Sequence, residues 1–150
     1  IMADLVTTVS ESVTLNGSVR GSTNSITTTG IVDVFERILT CAHSNTTTIA
    51  VFNSTPHGAA GALDVENAKY LRVTNLSTTE DMILALVTTN TNYQVTLRPE
   101  STHILFQAEN AAIAEADTTP NFPTLEDIVT VQARPSATTD VQVEVFVGLV

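Results

Sequence analysis

Apolar and polar residues alternate along most of this chain. The segment VQVEVFVGLV, residues 141–150, sets Val141, Val143, Val145, Val147 and Leu149 on one face and Gln142 and Glu144 on the other, as a half-buried strand requires. Toward the other end Leu5, Val9, Val13 and Leu15 share a face while Thr8, Ser10, Ser12 and Thr14 take the opposite one, until Asn16-Gly17 ends the run as a turn. Between them the pattern predicts strands over 22–29, 32–41, 46–52, 69–76, 81–88, 92–98, 102–107 and 125–134. The breaks fall at Gly30, the small-residue segment 54–61, Asn90, the Pro99 turn, and the pair Pro120 and Pro123. Only AENAAIAEA, 108–116, has helical character, amounting to one or two turns or to nothing regular.

About ten short strands without a long helix predict an all-β fold, an antiparallel β-sandwich of jelly-roll type. Twenty-six threonines and abundant valine agree, because β-branched side chains pack well on a pleated surface. At 150 residues the chain fits one domain spanning 1–150, able to bury about 68–70% of its unfolded surface. No staple is needed, and the single cysteine, Cys41, has no partner for an internal disulfide.

Charge narrows the choice of partner. The net charge of −10 comes from a shortage of base, six Lys plus Arg against sixteen Asp plus Glu. Such a chain lacks the cationic stripe that neutralises phosphates, so neither nucleic acid nor an anionic membrane is an expected partner. No window approaches the roughly 18 apolar residues of a membrane span, and IMADLVTTVS lacks the basic start and apolar core of a secretory leader.

Candidate chemistry is sparse. Cys41 and His43, two apart on a strand, would share a face as a metal-ligand pair does, but no third ligand follows at a recognisable spacing. His57 and His103 stand in no triad or metal pattern. Glu80-Asp81 and Glu126-Asp127 are neighbours that point to opposite faces, and both read as solvated strand starts. Asp64 and Glu66 lack the oxygen-rich spacing of an EF-hand loop, and no phosphate loop or nucleophile elbow occurs. The sequons at Asn16, Asn45, Asn53 and Asn75 are no more than composition produces. The expectation is a protein that is not an enzyme, with no catalytic residue, no cofactor and no metal. A lectin-like, carbohydrate-binding module ranks second, although tryptophan is absent and only Tyr70 and Tyr93 could offer an exposed ring.

Protein contact is better represented. The long connections 53–67 and 108–124 are candidates for partner contact, the second through Phe122 in Asn121-Phe122-Pro123. The stretch AKYLRVTNL, 68–76, carries the only lysine, Lys69, and there Leu71 and Val73 fit the core, leaving Tyr70 and Arg72 on the other face. Tyrosine and arginine are enriched at interface hot spots. The competing reading pairs Arg72 with a carboxylate of its own sheet, worth about 0–1 kcal/mol. One lysine also leaves little to guard exposed sheet edges, which predicts a homo-oligomer, a closed ring such as a trimer.

The order of segments, a Ser/Thr-rich opening strand, IVDVFERILT, a small-residue loop, LDVENAKYLRVTNLS, DMILALV, LRPESTHILF and the closing VQARPSATTDVQVEVFVGLV, resembles small virion proteins of tailed bacteriophages, marine ones especially. The resemblance spans most of the chain as a pattern. It implies a jelly-roll protein of the particle, a capsid decoration (cement) protein or fibre component, whose partners are the major capsid protein or other virion proteins. It supplies no catalytic residues. Because a capsid interior is filled with polyanion, an acidic protein belongs on the outer surface of the virion.

Overall fold

The computed structural model describes residues 1–55, 61–106, 111–112 and 125–150. Every regular element among them is a strand. The long C-terminal run forms β15 (Val141–Leu149), and its alternation is met residue by residue: Val141, Val143, Val145 and Val147 are buried while Gln142 is exposed. β15 lies between β5 (Asp33–Cys41) and β8 (Ala68–Asn75), and β11 (Thr102–Phe106) completes a four-stranded antiparallel sheet in the order β11-β8-β15-β5.

The second sheet runs β10 (Asn92–Leu97), β9 (Met82–Val87), β14 (Thr130–Pro135), β6 (Thr47–Asn53) and β7 (Leu63–Asp64), with only the short β6-β7 pairing parallel. One core joins the sheets. Leu71, Val73, Val143, Val145 and Val147 from the first meet Ile49, Phe52, Met82, Leu84, Leu86, Leu97 and Val131 from the second, all at most 5% exposed. The chain is therefore an all-β antiparallel sandwich, and a period of two in sequence becomes two inner faces sharing one dry layer.

A third element lies outside the two layers. β1 (Ala3–Ser10) and β4 (Thr23–Ile31) pair antiparallel, and β2 (Val13–Leu15) and β3 (Ser18–Arg20) continue the ribbon to its tip. Asn16 and Gly17, with φ of 50° and 75°, supply the left-handed pair that a tight hairpin turn demands. Gly21 (φ 122°) marks where the two halves join: a Cβ there would stand 2.1 Å from the Glu11 carbonyl oxygen, so only glycine fits. Hydroxyl pairs cross the ribbon at Thr8 with Ser25 (2.7 Å) and Ser10 with Thr23 (2.8 Å). At the base, Gly148 of β15 lets Leu5 and Ile31 settle on the outer face of the four-stranded sheet.

The predicted strands stand within about two residues of those observed, with five differences. The opening run through Leu15 is divided into β1 and β2, and β7 lies inside the predicted connection 53–67. The 125–134 run is divided into β13 (Glu126–Asp127) and β14, with buried Ile128 between them. The return strand β3 escaped the pattern, since three residues make no period. Within the segment of helical character, Ala111–Ala112 forms a short strand, β12, paired with β13, and the rest of that segment lies outside the described residues.

Asn75 is the polar exception in the core layer, with 0% exposure at the end of β8. Its amide nitrogen donates to the carbonyls of Glu80, Leu97 and Arg98 at 2.8–3.2 Å, and its side-chain oxygen accepts from the Ser77 N–H at 2.9 Å. One side chain thus ties together the turn after β8, the entry to β9 and the turn after β10. Replacing it by alanine strands buried carbonyls, and each unsatisfied buried group costs about 1–3 kcal/mol. Asn75→Ala is expected to lose at least that much in chemical denaturation, with the urea slope unchanged; a loss below about 0.5 kcal/mol would refute the anchoring role.

Candidate functional site

The registers place side chains on the outer face of the four-stranded sheet in rows. Ile38, Glu144, Thr74 and Thr102 form one row, and Glu36, Phe146, Arg72 and Ile104 the next. Arg72 donates to Thr74 Oγ1 (2.8 Å), pairs with Glu144, and holds its guanidinium carbon 5.8 Å from the centre of the Phe146 ring. Tyr70 meets the same ring edge-on at 5.7 Å. Both residues do lie opposite Leu71 and Val73, as alternation predicts. That face is roofed, however: Leu5 to Thr8 of the ribbon line a shallow groove with Tyr70, Arg72, Ile104 and Phe146, and Tyr70 is only 7% exposed. The pairing of Arg72 with a carboxylate of its own sheet is present, and together with Phe146 and Tyr70 it braces the ribbon. Phe122, the third candidate for partner contact, lies outside the described residues, as does His57.

The titratable groups are dispersed. Cys41 is fully buried, and that burial pushes its thiol up, partly offset by a hydrogen bond with Thr47; it is a core residue. His43 stands apart from it, half-exposed in a turn, with Nδ1 2.8 Å from Asp140 Oδ1 and its backbone N–H donating to the same oxygen. Those bonds, the backbone one first, hold the Asp140 carboxyl below its ordinary value. Glu126 is held low by hydrogen bonds from the side chains of Asn90 and Thr88. Asp64 caps its own turn, accepting from the Glu66 N–H and from Asn67, both at 3.0 Å, and Asp81 accepts from Arg98 at 2.7 Å. Among the described residues no group of three His, Cys, Asp or Glu side chains is arranged to hold a metal ion.

The surface that sequence reasoning missed is apolar. From Ser10 to Thr27 every residue is exposed, so the outer ribbon is not packed under any of the described residues. It carries Val13, Leu15 and Val19 at 56%, 55% and 71% exposure. On edge strand β5, Val34 and Ile38 are likewise exposed, with Val32 just before them. Alternation marks such residues as one face of a strand but does not say whether a second layer covers that face. Compared with protein-family models, with curated proteins and with solved structures, the chain matches none.

One further group bears on pH. His103, on β11, has its ring tilted against Tyr93 at 6.0 Å and a buried Nε2 without a hydrogen-bond partner, and burial holds its pKa below the ordinary value. As pH falls through about 6.5 the unfolded chain takes up a proton that the folded chain refuses, so stability declines and levels off only below the lowered folded value. Thermal midpoints measured between pH 7.5 and 5 are expected to drop, and His103→Gln to flatten that drop; an unchanged slope would remove the histidine from the account.

Proposed function

We propose that the protein is a non-enzymatic structural component of a bacteriophage particle, a decoration protein on the outer surface of the capsid. The observation that carries a structural role is the outer ribbon: eighteen consecutive exposed residues, four large apolar ones among them, held out from a packed sandwich. A two-stranded ribbon is marginal in water on its own, so a tip of this kind fits a chain whose final partners are other proteins. The phage particle is suggested by the segment order rather than by any site.

The strand order supports the finer reading of the fold. Taking β5, β6, β8, β9, β10, β11, β14 and β15 as eight successive strands, each sheet interleaves early and late members, the order that two nested Greek keys produce in a jelly roll. An acidic surface with few cations suits a position away from packaged nucleic acid. The partners are the major capsid protein or other virion proteins, and further copies of the chain in a closed ring such as a trimer.

Mass spectrometry of purified virions tests this. The chain is expected at a copy number comparable to the capsid protein, with density on the outer shell in a particle reconstruction. Its absence from virions would overturn the proposal, and selective, saturable binding on a glycan array would favour the lectin-like alternative.

A further inference from the structure

Two unpartnered apolar surfaces lie far apart on the chain. One is the ribbon tip, where register puts Val13 and Leu15 on one face beside Arg20 and Ser18, with Val19 on the other face. The second is β5, which pairs with β15 on one side and has no strand on its other side among the described residues. Its outer face presents Val34, Glu36 and Ile38 at alternate positions, all exposed.

We infer that the ribbon tip of one copy docks on the free edge and outer face of β5 in a second copy, burying Val13 and Leu15 against Val34 and Ile38 and setting Arg20 beside Glu36. The contact is heterologous, so three or more copies can close it into a ring. It deepens the structural reading above, but it concerns copy-to-copy contact alone and holds for any particle the protein joins.

Several observations favour this occupant. The base of the ribbon rests by Gly148 of β15, and Leu5 to Thr8 line a groove with residues of β8, β15 and β11 and none of β5, so the ribbon lies over the side of the sheet away from its own β5. Beyond Thr8 it reaches on for roughly 20 Å at the usual rise per residue. Charges match in this pairing only. Tip against tip would face Arg20 with Arg20, and β5 against β5 would bring together two Arg37 side chains, each with its guanidinium carbon 6.0 Å from the centre of the inner-face Phe35 ring. An inward-pointing charge on an edge strand is a known guard against plain edge-to-edge pairing.

Sedimentation of the intact chain between about 5 and 300 μM tests the contact. Wild type is expected to associate with rising concentration. Leu15→Glu on the tip and Ile38→Glu on β5 are each expected to weaken association at least tenfold, and because both positions are exposed their thermal midpoints should match wild type. Arg20→Glu and Glu36→Arg should each weaken it, and the double swap should restore it. A wild-type chain that stays monomeric throughout, association untouched by either glutamate variant, loss from only one of the two surfaces, or a double swap without recovery would each overturn the inference. Virion content reads out the structural proposal separately, so the two can fail independently.

Discussion

Everything in this molecule depends on a dry layer made by residues two apart. β15 is the clearest case, with four valines aimed at the opposite sheet and hydrogen-bonded neighbours on both sides. Burying such side chains is worth about 1.5–3 kcal/mol each, against surface ion pairs worth about 0–1 kcal/mol. Pairs among the described residues, such as Arg72 with Glu144 and Arg98 with Asp81, therefore orient side chains more than they hold the sheets together. Once the inner faces are committed to one another, strict alternation fixes what lies outside, including the row on which the ribbon rests.

Most of the sandwich was legible because alternation is a local property. Strands such as β8, β9 and β15 declare their buried face in their own few residues. Two things were not legible. Alternation placed Tyr70 and Arg72 on the face away from Leu71 and Val73, yet only the folded chain shows that Leu5 to Thr8 roof that face and that Glu144 takes the guanidinium. The same limit works in reverse at the tip: Val13 and Leu15 read as a buried strand face, and the ribbon leaves them bare. Asn75 read as a strand end and a sequon, when its three carbonyl partners come from segments up to 23 residues away.

Among the described residues, the dispersal of the titratable groups follows from the same geometry. Sheets of alternating residues put polar groups on outer faces, each solvated or satisfied by a near neighbour, as Asp64, Glu126 and Asp140 are. Among the described residues, burial favours the neutral forms of Cys41 and His103. Catalysis and metal binding need several such groups converging, and here the described groups are spread around the rim of the sandwich.

The central place of β15 also orders events during synthesis. β5 and β8 hydrogen-bond to β15 and not to each other, and about a hundred residues separate β5 from β15 in the sequence. At ribosomal rates of about 5–20 residues per second, β5 waits on the order of 5–20 s before its neighbour exists. The ribbon, whose pairings span at most 28 residues, can close long before. A nascent chain thus spends seconds with a finished hairpin beside an unpaired, valine-bearing strand, and the gap in its four-stranded sheet is filled only once β15 has been translated.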